Sequence, residues 1–356
     1  MVEKSLKLIA DVDQIKSNIS KVYNKISSQN IGFRPHFKTH QSRMMGKFFK
    51  DFDIDKITVS SIPMAEYFSD QFKDITIAFP LDINEIEKLN SIDRTVTLNL
   101  LIVDPLQIEF LKTIKRDINI FIEIDCGYGR SGVIAKNFDM IEKLINGIEG
   151  IQNLYFKGFL THSGNSYGAK SKFEIESIYY HDLELMKSLK ERFKSSKPII
   201  SMGDTPSTSI VKDFGEVDEL RPGNFIFYDF MQVELGATKY SNIGVYLKSS
   251  VVQTKKDSFV ISAGAVDLSK EFIISSNKIS YGKIFDSNDR EKIVGNIYSL
   301  SQEHGLVEVV DKNWFKGIKI GDFVNIYPIH SCLTADCLGK YYGSDEKIYD
   351  HFKLKG

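Results

Sequence analysis

From Asp11 to about Gly236 the chain alternates short apolar runs with amphipathic ones. The strand-like runs are Phe33–Lys38, Ile57–Ser61, Ile75–Phe79, Val96–Val103, Ile120–Asp125, Phe156–His162, Ile199–Gly203 and Glu219–Phe227. Between them apolar residues recur at helical spacing over Met44–Lys50, Met64–Phe72, Ile83–Leu89, Leu106–Ile114, Phe138–Ile145, Ile175–Phe193 and Ser207–Phe214. Short apolar runs bounded by turn residues read as buried strands, and a period near 3.6 reads as helix. Strand followed by helix, repeated about eight times, predicts an α/β protein built as a (β/α)₈ barrel. An open doubly wound sheet is the alternative; no Gly-x-Gly-x-x-Gly turn follows the first strand to support its dinucleotide-binding form. Asp11 stands where it can cap a helix over Val12–Ile26.

After Gly236 the texture changes. Long helical patterns give way to β-rich runs at Val245–Thr254, Ser258–Ser262, Ile279–Lys283, Lys292–Leu300, Leu306–Val310 and Asp322–Tyr327, separated by Gly, Asn and Asp turns. This predicts a barrel domain over 11–236 and an all-β domain over 237–356. The opening strand-like Leu6–Ile9 is expected to pair with the second domain, so residues 1–10 are assigned to it.

Composition narrows the classes without naming a chemistry. The 356 residues carry a net charge of −1. Acidic and basic residues are interspersed, which argues against a nucleic-acid or membrane surface. No apolar run reaches the ~20 residues of a membrane span. The opening Met1-Val2-Glu3-Lys4 has no secretory pattern. Three cysteines do not make a disulfide framework, so a reducing, cytoplasmic setting is expected.

Barrel chemistry gathers at the C-terminal ends of the strands. The first run ends in Arg34-Pro35-His36-Phe37-Lys38-Thr39-His40, a lysine among histidines and an arginine. Cationic crowding and loss of water both lower a lysine pKa, which suits a Schiff-base amine. A surface lysine in a basic turn is the plainer reading. The fifth run leads into Glu123-Ile124-Asp125-Cys126-Gly127-Tyr128-Gly129-Arg130-Ser131-Gly132, the sixth into Thr161-His162-Ser163-Gly164-Asn165 with Tyr167 beyond. The seventh gives Gly203-Asp204-Thr205-Pro206-Ser207-Thr208 and the eighth Arg221-Pro222-Gly223-Asn224. Gly-rich polar loops that open helices suit an anion, and barrels often hold phosphate after strands seven and eight, though an ordinary N-cap explains the seventh alone. A lysine at one side and a phosphate cradle at the other are what pyridoxal 5'-phosphate needs. Cys126 reads as a small buried residue and His181 as structural. Glu123 and Asp125 read as orienting groups rather than a glycosidase pair.

The tail carries a second clue. His330 and Cys332 lie two apart after an apolar β run, and on a strand they would share a face. Imidazole and thiolate suit a divalent metal such as zinc, and two protein ligands leave it open to substrate. Taken alone, a packed histidine beside a buried thiol is the better reading of the pair. Cys337 leaves open a closed structural site or a disulfide with Cys332. His304, in Glu303-His304-Gly305, is either a solvated turn residue or one that reaches substrate.

These motifs, in this order, resemble the D-threonine aldolase / D-serine dehydratase-like family, whose barrel is of the alanine racemase type. The match runs through Arg34–His40, Glu123–Val133, Thr161-His162, Glu219–Asn224, Glu303–Gly305 and Pro328–Cys332. Two departures stand out: Gln41 where the family often has lysine, and Ser201-Met202-Gly203-Asp204 where it often has a glycine run. The resemblance implies that Lys38 bonds the cofactor and His304 acts with it on substrate. It implies that Arg130, His162, Gly203, Asp204, Thr205, Gly223 and Asn224 hold pyridoxal phosphate, with His330 and Cys332 holding a divalent metal such as zinc; Arg221 is placed with the cofactor residues, and Tyr167 either reaches the cofactor or caps the barrel mouth. It implies a homodimer acting on a small β-hydroxy D-amino acid. His-x-Cys belongs to the family's dehydratases and His-x-Asp to its aldolases, so the expected reaction is loss of the β-hydroxyl to give a 2-oxo acid and ammonia. Aldol cleavage of 3-hydroxy-D-aspartate or D-threonine is the runner-up. A racemase or a non-catalytic cofactor-binding protein comes behind both.

Overall fold

The computed structural model describes residues 6–353. Its contacts divide it into two units, one of Val22–Lys38 and Gly46–Gly223, the other of Met1–Lys21, Thr39–Met45 and Asn224–Gly356.

The first unit is built on eight parallel strands: β1 (Gly32–Phe33), β2 (Lys56–Val59), β3 (Asp74–Pro80), β4 (Thr97–Ile102), β5 (Ile118–Asp125), β6 (Leu154–Leu160), β7 (Ile199–Met202) and β8 (Glu219–Leu220). They are ordered β1-β8-β7-β6-β5-β4-β3-β2. A parallel bridge between His36 and Thr58 joins the chain beyond β1 to β2 and closes the barrel. The first strand therefore changes partners along its length. Arg34 and His36 donate to Leu220 and Pro222 on one side, and Phe37 donates to the Thr58 carbonyl on the other. The ladder of β1 is shorter than the run Phe33–Lys38 suggests, because Pro35 has no N–H to give and the chain turns from Phe37 onward. β8 is likewise cut to two residues, and Asn224–Ile226 coil into a 3₁₀ turn.

Helices follow the strands with conventional starts. Ser61, Asp104, Asn137 and Ser171 each accept a backbone N–H from the first turn of the helix they precede. In Lys172–Arg192 the buried Ile175, Tyr179, Leu183, Met186 and Leu189 recur every three or four positions, the stripe that faces a sheet. Inside the barrel Leu101, Phe121 and Leu160 form an apolar layer. Beside it runs a polar chain. Arg34 pairs with Asp74 (2.7 Å) and Glu219 (2.8 Å); Glu219 accepts from Ser201 Oγ (2.6 Å), which accepts from Arg221 Nε (2.7 Å).

The second unit is antiparallel. Val245–Thr254, Ser258–Ile261, Gly305–Val309, Asp289–Leu300, Gly282–Asp286 and Phe323–Pro328 pair in that order, and the last pairs back with the first. Closure leaves this ring without the open edges that a flat sheet would present. Lys7–Ala10 pairs antiparallel with Val245–Thr254, and Tyr341–Gly343 adds beside it. The part of the expected N-terminal pairing that falls on residues 1–5 lies outside the described residues. Two details differ from the sequence pattern. Ile279–Lys283 is not one strand: Lys278–Ser280 folds back on Ile273–Ser275, and a new strand starts at Gly282.

The second difference concerns the tail, where His330 and Cys332 are not on a strand. His330 is the N-cap position of a helix, Ser331–Leu338, and Cys332 lies in its first turn. Buried Asp229 forces the change of direction by accepting Ser331 N (3.0 Å) and Ser331 Oγ (3.3 Å). Gly339, at φ +70°, ends the helix.

Candidate active site

The C-terminal mouth of the eight-stranded barrel collects cations and imidazoles. His36, Lys38, Arg130, His162 and Arg221 are close enough that their charges act on one another. Lys38 stands exposed in the turn that follows the seam. Its backbone N–H donates to His36 Nδ1 at 3.4 Å. His36 and His162 are both held well below the ordinary histidine range, first by burial and then by the Lys38 charge, so both rings are neutral at physiological pH. His162 is flanked by Tyr128 (6.1 Å, edge-on) and Tyr167 (6.3 Å, tilted). Arg130 lies over the Tyr128 ring and 4.0 Å from Glu123 Oε1. Burial raises the Glu123 carboxyl, and Oε2 is buried without a partner among the described residues. Arg221 is fully buried and tied to Ser201 Oγ and the Thr161 carbonyl. Burial lowers its guanidinium to about 10.

Across the mouth, Gly203 takes φ +103°, and a Cβ there would come within 2.8 Å of Leu220 Cδ2 and 3.6 Å of Thr208 Oγ1. Thr208 Oγ1 is buried with no partner among the described residues. Asp204 is buried and uses its carboxylate to cap the helix Thr205–Ile210, accepting Ser207 N (2.8 Å) and Ser207 Oγ (2.9 Å). Burial raises it to about 6. Its share in any phosphate cradle would be a main-chain N–H, not the side chain. Cys126 is buried and pushed up to about 12 by that burial, which makes it inert.

The second unit holds the other cluster. His330 and Cys332 are in side-chain contact despite the helix start; His330, as the N-cap, has extended rather than helical backbone. Burial is the largest single effect and opposes charge on both, but the partner's charge and the surrounding hydrogen bonds together outweigh it. His330 is held well above its ordinary range and Cys332 below the ordinary thiol. Cys332 Sγ lies 3.4 Å from Thr39 Oγ1 and 3.5 Å from Asn224 Nδ2. Asn224 Nδ2 also reaches Asp229 Oδ2 (2.7 Å) and Ser331 Oγ (3.0 Å). The Asn224 amide thus serves the cysteine loop, and only its main chain is left for an anion. Cys126, Cys332 and Cys337 are all free, and no group of three or more metal-binding side chains occurs among the described residues. Cys332 and Cys337 are thus not joined in a disulfide, and His330, Cys332 and Cys337 do not gather into one group among the described residues. His304 lies on an exposed turn, where its carbonyl accepts Ser301 N.

Sequence reasoning did not single out His36, Thr208, Tyr128, Thr39, Asp229 or Glu271. Asp229 precedes a helix, as capping residues do, and Tyr128 sits in the glycine loop. Glu271 stands in no motif.

A closed parallel barrel with a lysine at its mouth, followed by an antiparallel β-domain, is the architecture of alanine racemase-like proteins. Residues 10–229 match the family "Alanine racemase, N-terminal domain", and residues 245–344 match "Putative serine dehydratase domain". The chain belongs to the alanine racemase N-terminal domain family, in its D-threonine aldolase / D-serine dehydratase-like group. It is 29% identical over 381 residues to the D-serine dehydratase of Dictyostelium discoideum, covering 95% of this chain and 93% of that one. It is 24% identical over 363 residues to the 3-hydroxy-D-aspartate aldolase of Paracoccus denitrificans (strain Pd 1222), covering 94% and 87%. The solved D-threo-3-hydroxyaspartate dehydratase from Delftia sp. HT23 superposes with a TM-score of 0.88 at 20% identity over 98% of each chain. A variant of that enzyme has been solved in a metal-free form. Dehydratases and aldolases are lyases, and the chain is an enzyme of that class.

The residues present fit both implied groups. The unpartnered Thr208 Oγ1 beside the space left by Gly203 suits a phosphate oxygen, and Lys38 supplies an amine. Paired imidazole and thiolate suit a borderline-soft divalent ion.

Proposed function

We propose that the chain is a pyridoxal-phosphate- and zinc-dependent dehydratase of β-hydroxy D-amino acids, turning a D-serine-like substrate into a 2-oxo acid and ammonia. One observation carries the reading: Lys38 stands among imidazoles kept neutral, in a barrel mouth whose far side offers Thr208 and Gly203. Lys38, Arg130, His162, Tyr167 and Arg221 would hold the cofactor's reactive end and ring. Gly203, Asp204, Thr205, Thr208, Gly223 and Asn224 would hold its phosphate, with Asp204 and Asn224 acting through the main chain. His330 and Cys332 would hold the metal, and His304 would contact substrate. When bound, pyridoxal phosphate supplies an electron sink at Cα and the metal a Lewis acid for the β-hydroxyl.

The chain's own residues do the rest. Neutral His36 and His162 stand beside Lys38, and each can accept a hydrogen bond at one ring nitrogen. Lys38 Nζ would take the α-proton of the substrate. Glu219 and Ser201 fix the Arg221 guanidinium without moving parts. Asn224 Nδ2 donates to Cys332 Sγ, which in turn donates to Thr39 Oγ1, and the two contacts fix the sulfur's position. Cysteine at position 332, where the family's aldolases carry aspartate, favours dehydration. The likeness to the Paracoccus aldolase keeps Cα–Cβ cleavage as the second reading.

Purified protein with cofactor and zinc is to be given D-serine, D-threonine and D-threo-3-hydroxyaspartate. Ammonia with a 2-oxo acid is expected; glycine with an aldehyde would transfer the assignment to the aldolase. Lys38→Ala is expected to lose the visible absorbance of lysine-bound cofactor and at least ~10³-fold in turnover. A homodimer is part of the proposal, and light scattering that returns the monomer mass would remove it.

A further inference from the structure

We propose that Glu271 is a positioning residue for the metal, acting through His330. The inference rests on the metal reading above and goes one shell beyond it. Glu271 Oε2 lies 2.7 Å from His330 Nδ1. That bond occupies Nδ1, so Nε2 is the nitrogen left to bind a metal beside Cys332. A carboxylate on the far nitrogen of a ligating histidine fixes the ring's tautomer and rotation and makes the near nitrogen a better donor. Glu271 is on the side of the ring away from the metal and is not a third ligand, consistent with a two-residue metal pair.

The chain around Glu271 is shaped for this contact. It follows the short helix Ala265–Leu268 and is delivered by Ser269, whose φ of 70° and ψ of 175° lie in a region that residues other than glycine rarely adopt. Strain of this kind persists where surrounding contacts over-determine it. Here those contacts come from the metal helix itself: Thr334 Oγ1 donates to the Leu268 carbonyl at 3.4 Å, and the Ser269 backbone meets Cys337. Glu271 N then donates to Ser269 Oγ at 3.2 Å, which closes the turn. The helix that carries Cys332 thus holds the turn that carries Glu271, and Glu271 holds His330.

The test is zinc affinity, measured on cofactor-loaded protein by competition with a chromophoric chelator. Glu271→Ala is expected to weaken zinc binding by ~10- to 100-fold, with thermal midpoint and cofactor absorbance unchanged. Glu271→Gln keeps an acceptor for Nδ1–H and is expected to recover part of that loss. It also serves if the alanine variant fails to fold. His330→Ala is the reference. If wild-type protein binds no zinc, or binds it as well after His330→Ala, the metal reading itself is wrong. If zinc binding depends on His330 but Glu271→Ala stays within twofold of wild type, or Glu271→Gln binds more weakly than Glu271→Ala, the positioning role of Glu271 is overturned.

Discussion

At the scale of single residues, the barrel interior sets charge against burial. Arg34 is almost fully buried, and two carboxylates neutralise it. Removing one partner of a buried pair leaves the other charges uncompensated, at ~3–5 kcal/mol. Arg34→Met is therefore expected to destabilise the protein by that amount in urea unfolding. It should also disturb Arg221, because Glu219 would lose the partner that orients it toward Ser201. A loss under 1 kcal/mol would show that the network is slack. Gly203 tests the other side of the mouth. Gly203→Ala would place a Cβ against Leu220 and narrow the space before Thr208 Oγ1, at φ +103°. The strain should cost ~1–3 kcal/mol. Cofactor affinity, followed by absorbance titration, should fall more than stability does. Wild-type affinity in that variant would remove Gly203 from the cradle. Lys38 and Arg221 stood out in the sequence because motif and strand end coincide. Asp204 did too, but sequence could not say that Ser207 would absorb its carboxylate.

At the scale of elements, the strands were legible because their apolar runs are short and bounded. Val245–Thr254 falls where the pattern put it. The helix Ser331–Leu338 was not legible as such. Ile326–Ile329 continues a β pattern, and the change of direction at Ser331 depends on Asp229, about a hundred residues away in sequence. A similar long-range contact decides two histidines. Burial holds His40 down at about 3 and His351 at about 4. The unfolded-state value is near 6.5, so both folded values are depressed. Their stabilisation is complete above pH ~6.5 and is lost as pH falls through that range toward the folded values. For His351 the full loss is on the order of 3 kcal/mol. The thermal midpoint should therefore drop between pH 6.5 and 4, and His351→Gln should flatten that slope. An equal slope in the variant would assign acid sensitivity to other groups.

At the scale of the whole molecule, fold class was readable because the strand–helix alternation persists over the length of a barrel. The two halves of the chemistry were readable as separate motifs, Arg34–His40 and Pro328–Cys332. What supports them was not: Asp229, Asn224 and Glu271 carry their meaning only through contacts with residues far along the chain. Chelation offers the corresponding test. Removing the metal is expected to abolish ketoacid formation while the visible absorbance of lysine-bound cofactor survives. Full activity after chelation would strip His330 and Cys332 of their proposed role. No helix among the described residues is long and apolar enough to cross a membrane.

The seam at His36 and Thr58 has a consequence for how the protein matures. The barrel's first strand closes the ring with the same few residues that present Lys38. Parting Phe37 from Thr58 would displace the adjacent Lys38, so if Lys38 bonds the cofactor as proposed, ligation favours the closed ring. Ligation and closure are thermodynamically linked, and whatever binds only the closed form stabilises it. Cofactor loading should slow hydrogen exchange at the Phe37 and Thr58 amides more than at the amides of β5. The colour of the loaded protein would then go with a ring biased toward closure.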